Sequence, residues 1–220
     1  MGNLSNRQLS ALGAVAATVL FVVAFGLFGE SPNFDADATK IISHFQDHHK
    51  RILVATVLAE IAVAVMVAVI AQLAVLLRDG NHRALAAITG IAGATSLGLI
   101  AAGVGLNGGL AQVATFGAEA GAVAPLYRLI QFILIGWFWT TMVIVLCVVL
   151  AARSRTFGPW FALANGAVAV LLALGGISVK GEGALQAGTG PLCVIATIAF
   201  LAWVLHLALL FWKPVEVTSP

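Results

Sequence analysis

Six long apolar stretches, separated by short polar segments, constrain this chain more than any other feature of its sequence. They cover residues 11–29, 52–77, 84–106, 129–152, 160–179 and 192–212. Each has about the 20 residues that a helix needs to cross the ~30 Å hydrocarbon layer of a bilayer. Because backbone polar groups cannot stay unpaired in lipid, such stretches must be helical. The sequence therefore predicts an all-α integral membrane protein, a bundle of six transmembrane helices.

The composition supports this prediction and excludes several other classes of protein. Of the 220 residues, 61% are apolar and only 9% are charged, whereas soluble domains carry about 25% charged residues. The net charge of +2 is too small to favour nucleic acid as a partner. The six spans leave no room for a soluble domain, so we expect one domain over residues 1–220. The first stretch is too long for a typical cleaved signal peptide, and we expect it to be retained.

The basic residues favour one orientation in the membrane. With six spans both termini lie on one side, together with the short connections around Arg78–Arg83 and Arg153–Pro159. Short loops next to spans are where the positive-inside rule is strongest. We therefore expect both termini in the cytoplasm. The richness in Ala, Val, Gly and Leu is compatible with a bacterial inner membrane.

The third span carries a regular series of small residues. They recur every fourth position and form one stripe along a helix: Ala86, Gly90, Ala94, Gly98 and Ala102. Such stripes let two helices in lipid approach closely. We expect an internal helix contact, for which Ala162 and Gly166 of the fifth span are possible partners. The alternative is a surface for self-association or for other membrane subunits.

Polar side chains inside the spans form the first set of candidate functional residues. Glu60 is the most costly, since an acidic side chain near a helix centre costs about 3 kcal/mol on insertion scales. Counting ~1.5 Å per residue, we place Glu60 in one layer with Ser96 and Thr140, as candidates for proton or ion handling. Structural hydrogen bonding by Glu60 is the alternative. A second layer, nearer the cytoplasm, holds Gln72, Asn165 and His206.

Acidic residues and histidines are concentrated between the first two spans. The pattern from about Ala38 predicts a short amphipathic helix that continues into the second span, with Asp37 or Asp35 as its N-cap. His44 and His48 are four residues apart, so both imidazoles could bind one copper or zinc ion, with a third ligand from Asp35 or Asp37. The alternative is an interfacial helix whose histidines lie at headgroup level. Apart from this possible metal site, no cofactor is indicated.

Two short motifs carry a resemblance. The first is the acidic segment that leads through Asp47-His48-His49-Lys50-Arg51 into a long second helix, and the second is the turn of residues 153–160 before the fifth helix. Across nearly its whole length the chain resembles uncharacterised bacterial six-span membrane proteins that carry a domain of unknown function. That group implies no activity and no site residues.

The sequence contains no recognisable catalytic motif, so we expect a protein that is not an enzyme. The first functional hypothesis is a non-enzymatic accessory subunit that binds a membrane partner. The alternatives are a small proton-coupled transporter that uses Glu60, and a membrane metalloprotein that binds its metal through His44 and His48. The lipid bilayer is the partner that every hypothesis shares.

Overall fold

The structure is a computed structural model. All the secondary-structure elements that it describes are helices, as the sequence predicts. It describes residues 4–117, 119–152, 159–178, 186 and 190–212. In chain order the helices are α1 (Asn6–Phe28), α2 (Ala38–Asp47), α3 (His49–Asp79), α4 (Arg83–Thr115), α5 (Ala120–Ala152), α6 (Pro159–Gly176) and α7 (Pro191–Trp212). Five of the described helices, α1, α3, α4, α5 and α7, are long and apolar enough to cross a membrane. The apolar part of α6, Trp160–Gly176, is shorter.

The six longer helices close into a ring. Each packs mainly on two neighbours, in the order α1, α3, α4, α5, α6, α7 and back to α1. The short helix α2 packs on α4 and α5 at one end of the ring, which we call the α2 end. Large side chains fill the middle of the ring, among them Phe21, Met66, Phe200 and Trp203. Among the described residues, a large cavity lies toward the α2 end.

Glycines allow the close approach of neighbouring helices. An added Cβ at Gly103 of α4 would lie 2.6 Å from Leu134 of α5, and one at Gly108 would lie 2.9 Å from Thr56 of α3. At Gly175 of α6 it would lie 2.5 Å from Ala196 of α7. Helices in lipid gain contact through such small residues, because no hydrophobic effect drives them together.

Helix α2 begins where the sequence predicts but does not continue into α3. The side chain of Asp37 caps α2 by accepting a hydrogen bond from the Lys40 backbone N–H at 2.8 Å. The chain then leaves helical geometry at His48, which has φ −111° and ψ 11°. This bend lets Ile41 and Phe45 pack over the α2 end of the ring, where both are buried. The expectation of one continuous helix is therefore wrong.

The connection between the third and fourth spans also differs from its prediction. Residues 107–125 are too apolar for a free loop, and their glycines interrupt the pattern of a span. This pattern predicts a segment that lies against the membrane surface or dips shallowly into the protein. Instead α4 continues to Thr115 and α5 starts at Ala120. Gly108 lies in the α3–α4 contact, so its missing side chain supports packing there. Tertiary contact thus outweighs the low helix propensity of glycine, which costs only about 1 kcal/mol per residue.

Several aromatic and sulfur side chains take the places expected of them, and one does not. From the sequence, Cys147 and Cys193 are expected to be small buried residues, and both are buried without a disulfide bond. Trp160 and Trp212 are exposed near helix ends, as expected for residues at a membrane interface. The position of Tyr127 before the fourth span predicts a third interface anchor. In the structure Tyr127 is buried instead, and its hydroxyl donates a hydrogen bond to the Pro32 carbonyl at 2.6 Å. Its role is to join α5 to the α1–α2 connection.

Candidate functional site

Glu60 lies on the outside of the ring, in the seam between α3 and α4. Its side chain is only partly buried, whereas its neighbours Ala59 and Val63 face the core. The Glu60 Oε1 atom lies over Gly105 of α4, 3.4 Å from the point that a Cβ would occupy there. Gly105 has no side chain, so the carboxyl group can rest in the seam. A carboxyl group within a candidate span thus faces outward, although such groups generally face the interior of a bundle.

Four of the five residues of the predicted stripe lie on this same outer surface. Gly90, Ala94, Gly98 and Ala102 are all exposed, and a Cβ added at Gly90 or Gly98 would have nothing within 4 Å. Ala86, the first residue of the stripe, is buried in the core. The internal contact that we expected is therefore found at Ala86 and not at the other four positions. Helix α4 packs on α3 and α5, while α6 with its Gly166 packs on α5 and α7. The stripe is left open because the packed face of α4 is the one that carries Gly93 and Gly103.

We call the combined area of Glu60, Gly105 and the exposed residues Gly90, Ala94, Gly98 and Ala102 the α3–α4 surface. Gly105 lies within the predicted third span but was missed, because it follows Ala102 by three residues and so departs from the four-residue spacing of the stripe. The small residues at 98, 102, 105 and 109 continue the series, and that continuation was the available signal. Another helix can pack closely on such a row of small residues, and a hydrogen-bond donor on that helix can bind the Glu60 carboxyl group.

The structure does not bring Ser96 and Thr140, the residues predicted to share a polar layer with Glu60, close to it. Ser96 and Thr141 face the ring interior, where their hydroxyl oxygens lie 2.7 Å apart in a buried hydrogen bond. Thr140 donates to the carbonyl groups of Gly136 and Trp137 in its own helix. Glu60 lies level with Gly105, which is nine residues from Ser96 and so ~14 Å away along α4. Our depth estimate failed because α4 extends nine residues beyond the predicted end of the third span.

The second predicted layer is divided between two parts of the ring. The Asn165 side chain of α6 accepts a hydrogen bond from the Trp203 indole at 2.8 Å and donates to the Phe161 carbonyl at 2.7 Å. The His206 ring of α7 lies 4.8 Å from the Phe161 ring. Gln72 belongs to α3, which packs on α1 and α4 instead. Asn165 and His206 thus join α6 to α7, and Gln72 does not belong with them.

The predicted metal ligands are only partly brought together. The rings of His44 and His48 lie 4.8 Å apart, centroid to centroid, but the His48 Nδ1 atom is 2.9 Å from the His44 carbonyl oxygen. Asp37 caps α2, and Asp35 lies in the connection before it. Within the described ranges no group of three or more His, Cys, Asp or Glu residues has a geometry that could hold a metal ion. Copper or zinc binding at this pair remains a prediction.

The immediate surroundings of His44 favour its neutral form. Burial lowers the pKa of the His44 imidazole most, and the nearby His48 and Arg51 lower it further, against a smaller opposing effect of Asp47. The imidazole of His44 and the phenyl ring of Phe45 form a T-shaped contact, with 5.4 Å between their centroids. A neutral imidazole can both donate and accept hydrogen bonds.

Comparison with known proteins adds no family to these observations. No protein-family model matches the chain, and no curated protein or solved structure is significantly similar to it.

Proposed function

We propose that this chain is a non-enzymatic, multi-pass membrane protein that binds a transmembrane helix of another protein on its α3–α4 surface, as an accessory subunit does. The observation that carries this proposal is the outward-facing carboxyl group of Glu60, seated over Gly105 within the span of α3. Glu60 lies eight residues after Ile52, the first residue of the predicted second span, which corresponds to ~12 Å along α3. The exposed small residues of α4 extend from it along the same surface.

The energetics support a partner at this place. An acidic group that faces hydrocarbon costs about 3 kcal/mol on insertion scales. A donor on a docked helix offsets part of that cost, and interhelical hydrogen bonds in lipid contribute about 0.6–2 kcal/mol each. The open groove at Gly90, Ala94 and Gly98 allows close backbone approach and hence dispersion contacts. The hydrogen bond to Glu60 and the dispersion contacts both favour a bound helix over lipid at this surface.

Complementarity favours a different protein over a second copy of this chain. The same surface of a second copy offers another carboxyl group and one hydroxyl group, that of Thr95, which already donates to the Ile91 carbonyl at 3.0 Å. Ser96 and Thr141 are buried inside the ring and bonded to each other. The fitting occupant is therefore a helix that presents a basic, amide or hydroxyl donor at the level of Glu60.

Site-specific photocrosslinking in native membranes tests this proposal. A benzophenone side chain at Ala102 of α4 should give an adduct with another polypeptide. The same group at Val170, which is exposed on α6, should not. The adduct at Ala102 should fall at least about tenfold in a Glu60→Leu background, since ~1.4 kcal/mol of lost contact lowers affinity tenfold.

The matched control is Val57→Leu, an apolar change at an exposed position one turn from Glu60. It should leave the adduct unchanged. The proposal fails if no adduct forms, if Glu60→Leu leaves it unchanged, or if its mass is twice that of this chain. The last result would make the surface a site of self-association.

The proposed location follows from the helix pairing. Helix α6 runs antiparallel to α7, with Gly175 against Ala196 at one end and Phe161 beside His206 at the other. If α7 crosses the membrane, α6 therefore crosses beside it as a sixth span. The positive-inside rule supports cytoplasmic termini, and a bacterial inner membrane remains our proposal for the compartment. The transporter alternative gains no support, because Glu60 is not among the described residues that line the large cavity.

A further inference from the structure

A cavity of about 760 Å³ opens at the α2 end of the ring, between α1, α4, α5 and α7. Cavities that bind small molecules in proteins usually measure about 300–1,000 Å³. The cavity does not continue through the ring. Trp137 and Phe138 close it, and Trp137 packs edge-on against Phe200 with 4.9 Å between ring centroids. Its shape is therefore that of a binding site with one closed end.

The inner part of the cavity is apolar. Its walls include Phe25 of α1, Ile100 and Val104 of α4, Leu134 of α5 and Leu201 of α7. Water gains few hydrogen bonds against such walls, so an apolar body is favoured there. The inner part thus fits a hydrocarbon chain or ring.

The rim of the cavity is polar, and most of it is uncharged. Carboxamide side chains come from four separate parts of the chain, namely Asn33, Asn107, Gln131 and Gln186. Two of them meet across the rim, where the Gln186 amide donates to the Asn33 side-chain oxygen at 3.0 Å. Carboxamides both donate and accept hydrogen bonds, and they carry no charge.

The charged groups of the rim do not favour an anionic ligand. Among the described lining residues none is Lys or Arg, and Glu30 at the mouth is the one carboxylate. His44 also lines the cavity. The Arg51 guanidinium lies beside Gly29 at the mouth, 2.7 Å from the point that a Cβ would occupy there. The mouth thus combines one cation with the Glu30 carboxylate and has no excess of positive charge to attract a carboxylate, phosphate or sulfate head group.

The cavity also reaches the lipid-facing side of the ring. Val22 of α1 and both Val194 and Ile198 of α7 line it, and about half of each of these side chains is exposed. They lie where α1 meets α7, on the α2 side of the Phe21–Phe200 contact, and line the lateral side of the cavity. A molecule dissolved in the bilayer can therefore enter from the side.

We infer that this cavity binds an uncharged amphiphile from the bilayer, with its hydrocarbon part against the apolar walls and a hydroxyl, carbonyl or amide head group at the carboxamide rim. The four carboxamides give the head group both donors and acceptors. The closed end at Trp137 limits how deeply the hydrocarbon part enters. The cavity and the α3–α4 surface lie on different sides of the ring, so this inference does not depend on the proposed partner helix.

Photolabelling in phosphatidylcholine vesicles tests the inference with 1-monoolein that carries a diazirine in its acyl chain. Labelling should saturate at one molecule per chain and map to cavity-lining segments of α1, α5 and α7. Unlabelled monoolein should compete at least about tenfold better than oleate or oleylamine, which differ in head-group charge. Monobutyrin, a water-soluble molecule with the same head group, should compete weakly.

Variants of α7 locate the site. Thr197→Trp places an indole in the cavity and Val194→Trp narrows its lateral side, and each should lower saturable labelling about tenfold. Leu205→Trp is the matched control, because Leu205 is exposed on α7 but does not line the cavity. It should label as the unmodified chain does.

Four results would overturn the inference. They are labelling that does not saturate, labelling that neither α7 variant lowers, competition by oleate or oleylamine equal to that by monoolein, and competition by monobutyrin equal to that by monoolein. The third would reject the uncharged head group, and the fourth would reject entry from the bilayer. If Thr197→Trp does not fold, Val194→Trp decides the result, since the side chain that it replaces is already exposed.

Discussion

Single residues of α4 show how much depends on the direction in which a side chain points. Gly90 and Gly93 are three positions apart and read alike in the sequence. A Cβ at Gly93 would clash with the Ile70 side chain of α3, whereas one at Gly90 would meet nothing within 4 Å. Gly93 therefore serves the internal packing of the ring, and Gly90 belongs to its outer surface.

This difference gives a prediction for stability. Gly93→Ala should lower the free energy of unfolding by about 1–3 kcal/mol, because Ile70 is branched at Cβ and must shift with its backbone. Gly90→Ala should leave it unchanged or raise it by up to ~1 kcal/mol, since alanine is the better helix former. Reversible unfolding of the purified protein in detergent micelles measures both. Equal effects of the two substitutions would contradict the assignment of faces.

Glu60 shows what the sequence tells about one residue and what it does not. Its cost in a membrane follows from its charge and its position within an apolar stretch. The direction in which it points depends on the seam between α3 and α4, and especially on the missing side chain of Gly105. That contact joins positions 45 residues apart, and no local pattern indicates it.

At the scale of elements, we expect the packing of α2 to depend on pH. His44 has its pKa lowered from the ordinary value of 6.5 in the packed state. The unpacked helix therefore binds a proton at a higher pH than the packed one. Packing of α2 on α4 and α5 is complete above pH 6.5 and weakens as the pH falls from 6.5 toward the lowered pKa.

Hydrogen exchange of the α2 amides measures this effect. After correction for intrinsic rates, their protection should be smaller at about pH 5.5 than at about pH 7.5, on either side of the ordinary histidine pKa. His44→Gln should remove the difference. His49→Gln should keep it, because the His49 side chain instead contacts Gln112 of α4, at 3.4 Å. A pH effect that persists in His44→Gln would assign the change to another group.

Helix boundaries were the weakest part of the sequence prediction. The start of α2 was found from the Asp37 cap, which is a local signal. The end of α4 was placed nine residues too early, because Gly108 and Gly109 read as helix breakers when their packing partners are unknown. The metal-site prediction also depended on geometry beyond one helix, namely on a third ligand near His44 and His48.

At the scale of the whole molecule, the number of membrane crossings can be tested directly. Reporter proteins fused after Asn81 and after Trp212 should lie in the same compartment if α4, α5, α6 and α7 all cross. A fusion after Gly117 should lie in the opposite one. Opposite compartments for the first two fusions would show that α6 does not cross, despite its antiparallel pairing with α7.

The sequence by itself predicted a membrane environment, helical secondary structure and the number of apolar stretches. These properties depend on the hydropathy and length of continuous segments, which can be read from neighbouring residues. It also located the costly residue Glu60. Only the tertiary structure decided that Glu60 faces outward, that the glycine stripe stays open, and that four carboxamides share one cavity rim. These features depend on the rotation of each helix about its axis, which is set by contacts between residues distant in the chain.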